Sequence, residues 1–362
     1  MARQPIYYSD YLRLPELLSL QQPESGKQGT PLRDEYLFII VHQTYELWFK
    51  QVLLELDAVL MGLGGEVVHE RDLGRFVAHL ERVVAITKLM VHQVDVLETM
   101  TPLDFLDFRD LLVPASGFQS AQFRLIENLL GLDARTRMTI HGAAYTSRLS
   151  GDDRERVEAS TEIPSLRTRV DAWLGRTPFL ELEGWDFWAA YRLAVDRMLE
   201  READIIAHNP MLDAAGRAVQ EAQLVQNREH FDTLFDPAKY ETLRDAGHRT
   251  LSHRAFLAAL FVNLYRDEPI LHLPFRFLTS LMDIDEGLTT WRYRHALMVS
   301  RMIGSKVGTG GTSGHEYLKA TADRHKVFGD LFALSTYLLP RSELPVLPLS
   351  VRAALSFRHV TE

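Results

Sequence analysis

Two histidines, one arginine and one glycine-rich loop are the places in this 362-residue chain where residue type and setting could do chemistry. His295 stands in WRYRHALMV and His42 in FIIVHQTYELWF, each among apolar residues at helical spacing. Burial disfavours the charged imidazole, so such a side chain keeps a lone pair for a metal or a proton donor. A lone histidine on an apolar stripe is nevertheless more often a satisfied core residue than a ligand. Arg109 lies between Phe108 and Leu111 in TPLDFLDFRDLL. Its stem could pack while its head snorkels to water, or its fork could be set to grip a carboxylate with two parallel bonds; the residues leave both readings open.

The loop GSKVGTGGTSGHE, from Gly304 to Glu316, follows the His295 segment directly. It lacks the Lys-Ser/Thr ending of a phosphate-binding loop and follows a helix instead of a strand, so a nucleotide fits it poorly. Ser313 and Glu316 make an S-x-x-E capping box that opens a further helix. The free N–H groups of that helix start, with Thr309 just before them, suit a carboxylate. A helical histidine in apolar company followed by a polar loop is what a chain needs to hold a planar iron cofactor and close over a small polar ligand. The absence of cysteine excludes disulfides, Fe–S clusters, thiolate-ligated haem and covalent c-type attachment. No HExxH or other tight His/carboxylate cluster has zinc spacing. Haem held by one imidazole fits these residues better than zinc.

The elements that position these groups read as helices, because apolar residues recur at a period near 3.6 and alternating strand patterns are nearly absent. The spacing predicts long helices over about Asp34 to Leu60, Arg71 to Met100 and Phe275 to Ile303, the last open to interruption at Gly287. Thr87 is the only polar residue on the apolar face of the second. Another helix is expected from the capping box through Leu334. The fold class is therefore all-α, a helical bundle built as one domain over residues 1–362. An aromatic N-terminal arm, residues 1–30, runs into a turn-rich stretch that reads as a mobile connection, and residues 133–162 read as a surface loop. Residues 207–248 are the most charged part and read as a peripheral helical excursion, with apolar character returning only at FDTLFDP. The proline-broken C-terminus reads as a surface strap.

A net charge of -9 without any dense Lys/Arg run argues against nucleic-acid and anionic-membrane partners and points to small molecules. No apolar run reaches the ~18 residues of a membrane span, and no apolar signal core opens the chain, so a cytoplasmic protein is expected.

Several long segments also carry a family likeness: YSDYLRL, DEYLFIIVHQTYELWFKQVLLELD, TPLDFLDFRDLLVPASGFQSAQFRLIE, RTPFLE, LTSLMDIDEGLTTWRYRHALMV, GSKVGTGGTSGHEYLKAT and DLFALSTYLLP. Through them the chain resembles the tryptophan 2,3-dioxygenase family over almost its whole length. The resemblance implies a mostly helical homotetramer with one non-covalent haem b per subunit, ferrous when active. The reaction it implies inserts both atoms of O2 across the C2–C3 bond of L-tryptophan, giving N-formyl-L-kynurenine. It makes His295 the proximal iron ligand and sets His42 on the distal side near the indole N–H, with Phe38 against the substrate ring. Arg109 would bind the substrate carboxylate with Phe105 nearby, and Ser116 would approach the distal pocket. Thr309 would contact the substrate ammonium and carboxylate. Tyr8 and Tyr11 would reach a neighbouring subunit's pocket. Many members carry a second histidine where this chain has Ser300, and some carry Tyr where it has His315; the first change leaves His295 as the sole ligand candidate of its helix. Two other readings stay open. One is a haem-dependent monooxygenase acting on a tryptophan derivative or another aromatic amino acid; the other is a haem sensor or carrier, against which His42, Arg109 and Thr309 together argue.

Overall fold

The computed structural model describes residues 5–132, 137, 144–178, 180–182, 185–304, 306, 318–319, 321–322 and 324–356. Thr309, His315 and the Ser313–Glu316 capping box lie outside them. The fold is all-α, as expected. In chain order come α1 (Tyr8–Leu12), α2 (Leu14–Leu17), α3 (Arg33–Leu63), α4 (Glu70–Leu97), α5 (Pro102–Arg109), α6 (Ala121–Leu130), α7 (Gly151–Ala159) and α8 (Leu166–Leu174). After these follow α9 (Phe187–His208), α10 (Ala214–Phe235), α11 (Pro237–Asp245), α12 (His253–Leu264) and α13 (His272–Ile303). Among the described residues the one sheet is a minimal antiparallel pair between α8 and α9, with Glu181 opposite Asp186 and Leu182 opposite Trp185.

The chain divides into two compact units: Met1–Leu56, Arg82–Ile163 and Glu286–Lys326 in the first, and Asp57–Glu81, Pro164–Asp285 and Val327–Glu362 in the second. In the first, α3 buries Val41, Tyr45, Phe49, Val52 and Leu56, and α4 buries Val83, Met90, Val94 and Leu97. Both stripes have the spacing that an amphipathic helix requires. The helix α13 runs unbroken through Gly287. A Cβ at that position would stand 2.7 Å from Oγ1 of Thr87. The glycine therefore serves close helix packing, and Thr87, buried and donating to the Val84 carbonyl at 2.8 Å, is the residue it admits.

Other expectations for this unit need correction. The stretch before α3 is tied down: Glu35, almost wholly buried, accepts from the amides of Glu24 (2.7 Å) and Ser25 (3.0 Å). Residues 133–162 do not form only a loop, since α7 packs Val157 against Ala121 and Leu149. The sequence GDDRERVEA has one strongly apolar anchor and so shows no stripe. The Asn128 amide supplies the rest by donating to the Val157 carbonyl (3.0 Å) and Ser160 Oγ (2.8 Å).

In the second unit α12 is buried along nearly its whole length, from Ala255 to Leu264. Buried carboxylates hold the connections: Asp330 accepts from the amides of Thr250 and Leu251 at 2.7 Å each, and Asp285 from those of Val327 (3.0 Å) and Phe328 (2.8 Å). The expected helix through Leu334 accordingly breaks, with Val327 and Phe328 outside any helix and a new helix at Gly329–Ala333. The charged excursion is helical; of α10 only Phe231 and Leu234 are buried, the FDTLF residues where apolar character returns. At the C-terminus Leu347, Val351 and Leu355 are buried, so the expected surface strap is tucked in.

Candidate active site

A cavity of about 310 Å³ opens within the first unit, in the size range of small-molecule sites. From α3 it takes Phe38 and His42, one turn apart. The His42 Nδ1 lies 2.7 Å from the Phe38 carbonyl oxygen. A carbonyl can only accept, so Nδ1 carries the proton and Nε2 keeps its lone pair. Burial lowers the His42 pKa against the opposing pull of that bond and of Glu46, and the ring is neutral at neutral pH.

The helix α5 is set by local chemistry. Thr101 caps it, Pro102 occupies its first turn, and Asp104 returns a bond to the Thr101 amide at 3.1 Å. Phe105 and Arg109, four apart, then share a face and both line the cavity, while Phe108 is wholly buried and anchors the helix. The Phe38 ring lies 4.0 Å from the His42 ring and stacks on Phe105 at 5.8 Å. The Arg109 side chain is only 17% exposed and stands on the cavity wall, with Nη1 3.6 Å from the exposed Asp110 carboxylate. Ser116 also lines the cavity, but its Oγ accepts from the Phe118 amide in a local cap. Tyr8 and Tyr11 are 75% and 71% exposed and are not part of this wall.

The opposite contribution comes from α13. His295 lines the cavity and stacks on Trp291, their rings 5.6 Å apart and 6° from parallel. Burial, helped by nearby His42, pushes its pKa down to about 4. Among the described residues no hydrogen bond reaches its ring. Met298, Val299 and Met302 continue the same wall. A neutral imidazole with a free lone pair on an apolar wall is the donor that haem iron takes. A bare ion finds no match, since no group of three or more His, Asp or Glu could hold one among the described residues. The residues present fit a haem ligated by His295.

Sequence reasoning passed over a charged cluster on the same cavity. Ser120 caps α6 by accepting from the Phe123 amide, and Gly131, at φ 105°, ends it. Between them Arg124 and Glu127, three apart, point inward with Ile126 and Leu130 also buried. Glu127 Oε2 accepts from Arg124 at 3.0 Å and from Arg137 at 3.3 Å; Oε1 accepts from Arg292 of α13 at 3.0 Å and lies 3.4 Å from His325 Nδ1. Burial raises the Glu127 pKa, but Arg124, His325, Arg292 and Arg137 outweigh it and hold the carboxyl well below the ordinary range. The available signal was an arginine and a glutamate three apart among the apolar residues of AQFRLIENLL, the spacing that puts both on one face.

The chain as a whole is similar to known proteins. Residues 1–338 match the family described as Tryptophan 2,3-dioxygenase. The protein of that name from Bdellovibrio bacteriovorus is 50% identical over 98% of this chain and 99% of its own length. Those from Alteromonas mediterranea and Dictyostelium discoideum are each 47% identical over 98% of this chain, covering 98% and 89% of their own lengths. By the extent of this match, over nearly the whole chain, the chain belongs to the tryptophan 2,3-dioxygenase family.

Proposed function

We propose that this chain is a haem-dependent dioxygenase that cleaves the indole C2–C3 bond of L-tryptophan with O2 to give N-formyl-L-kynurenine. The observation that carries the reading is the gathering of two neutral imidazoles, from α3 and α13, on one cavity that also holds Arg109. Haem b, when bound, supplies a ferrous iron at which O2 is activated. His295 would hold that iron, since its low basicity keeps the lone pair available near neutral pH. His42 receives the indole N–H at Nε2, because Nδ1 is engaged by the Phe38 carbonyl. With its pKa lowered by burial it is a hydrogen-bond acceptor that orients the ring and a poor base for removing the proton.

Phe38 and Phe105 pack against the indole, and Arg109 takes the substrate carboxylate through its guanidinium fork. The family resemblance would give Thr309 a contact with the ammonium and carboxylate, and Ser116, on the same cavity, would border the substrate. Holding both charged ends while the ring is fixed by His42 brings the reacting carbons to one place and removes the entropy of alignment from the barrier. The protein acts as a homotetramer in the cytoplasm, with Tyr8 and Tyr11 of each subunit completing a neighbour's site; their exposure in the single chain supports that arrangement. No helix of the described residues is long and apolar enough to cross a membrane.

The test is direct. The haem-loaded, reduced protein is given L-tryptophan and isotopically labelled O2, and the product is identified by mass. Formylkynurenine with two labelled atoms is expected. A hydroxylated or oxindole product with one labelled atom means a monooxygenase, and O2 binding without turnover means a sensor or carrier.

A further inference from the structure

We infer that the Arg124, Arg292 and His325 end of the cavity is a carboxylate-binding site, and that it takes a propionate group of the bound porphyrin. The inference rests on the haem reading above. Its ground is a charge imbalance. Arg124, Arg137 and Arg292 all pair with one carboxylate, Glu127, and among the described residues no second acidic group pairs with any of them. Three guanidinium charges against one carboxylate leave a surplus of two positive charges. Arg137 is further occupied by the Asn128 amide oxygen and the Tyr145 ring, and it does not line the cavity. Arg124 and Arg292 do line it, at 8% and 6% exposure.

Buried cations without a counter-ion are costly, so a surplus of this kind calls for an anion from outside the protein. A second observation points the same way. His325 is 4% exposed and lines the cavity, and its Nε2 is buried without a hydrogen-bond partner among the described residues. Its Nδ1 faces Glu127, which leaves Nε2 turned from that carboxylate. Arg292 precedes His295 by three residues on α13 and so shares its face of the helix. An anion held by Arg292 is thus a neighbour of whatever His295 holds. On the cavity wall itself Arg124 and Arg292 share the single carboxylate of Glu127, which leaves one positive charge for a propionate. A tryptophan carboxylate already has Arg109 on another helix.

The experiment titrates the full-length haem-free protein with haem and with haem dimethyl ester, whose propionates are uncharged, and follows the Soret band. Wild type is expected to bind haem at least about tenfold more tightly than the diester, the factor set by one charge-assisted hydrogen bond. Arg124→Gln should erase most of that preference, Arg124→Lys should keep part of it, and Arg109→Gln should leave it intact. Equal affinity of wild type for the two porphyrins overturns the inference and needs no variant that must fold. A folded Arg124→Gln protein with the full preference overturns it as well. Loss of preference in Arg109→Gln alone would assign the propionates to the other helix, against the inference. If neither porphyrin shows a shifted, sharpened Soret band on adding protein, the haem reading itself fails, which is a different result from binding without preference.

Discussion

Gly287→Ala is the substitution whose outcome the packing of α13 decides most directly. In an exposed helix the change is stabilising, by about 0.5–1 kcal/mol, because alanine loses less conformational freedom on folding. Here the added methyl carbon would stand 2.7 Å from Thr87 Oγ1 and 3.1 Å from Thr87 Cβ, inside normal contact. Thr87 is 2% exposed and its hydroxyl is bonded to the Val84 carbonyl, so it has little room to yield. Overpacking of this kind costs about 1–3 kcal/mol, which exceeds the helix gain. The net expectation is destabilisation of roughly 0–2 kcal/mol and a lowered urea midpoint. The strain would be felt near His295, about 12 Å further along the same helix at 1.5 Å per residue. Thr87→Ala removes the nearest atom, so the double variant should be more stable than the two single changes sum to, by about 1–2 kcal/mol of coupling. Urea unfolding of the four proteins, followed by circular dichroism, reads the cycle. A raised midpoint for Gly287→Ala alone, or strictly additive effects, would refute the close-packing role.

Further outcomes follow from the same geometry. His42→Ala should lower turnover or tryptophan affinity while haem stays bound; loss of the Soret band instead would contradict a purely distal role. The His42 pKa is lowered from the ordinary 6.5, so its neutral form persists as pH falls through that value. Tryptophan affinity should therefore stay level from about pH 8 to 6.5 and weaken only below, and a midpoint at or above 6.5 assigned to His42 by NMR would be the contrary result. Arg109→Lys should weaken tryptophan binding by about tenfold, since an ammonium cannot reproduce the two-pronged grip; an unchanged KM would remove Arg109 from the carboxylate. Glu127→Gln should cost about 3–5 kcal/mol at pH 7, because it strands buried arginines. The folded Glu127 pKa is depressed, so its contribution is complete above the unfolded value near 4.5 and is lost as pH falls through the folded one. Urea midpoints across pH 7 to 3 should accordingly converge between wild type and variant at the acid end.

The helical class, the placing of α3, α4 and α13, and His42 and His295 on their apolar stripes could all be read from the chain itself. Each is a local consequence of which residues recur at 3.6 spacing, and burial of a stripe follows from that pattern alone. The capping of α5 by Thr101 and Asp104 is equally local, and it brings Phe105 and Arg109 onto one face. The ends that matter elsewhere depend on distant partners. Only the fold brings Thr87 against Gly287, which turns an apparent helix breaker into a contact point. The same holds for Asp285, which draws the amides of Val327 and Phe328 out of the expected helix. It also holds for Glu127, whose partners Arg292 and His325 stand 165 and 198 residues away. Periodicity describes which face of a helix is buried, but it carries no record of what that face meets; a charge is bearable inside only because a particular opposite charge arrives from another part of the chain. The candidate ligands were therefore legible one by one, while the cavity that joins them and the surplus charge at its end belong to the tertiary structure alone.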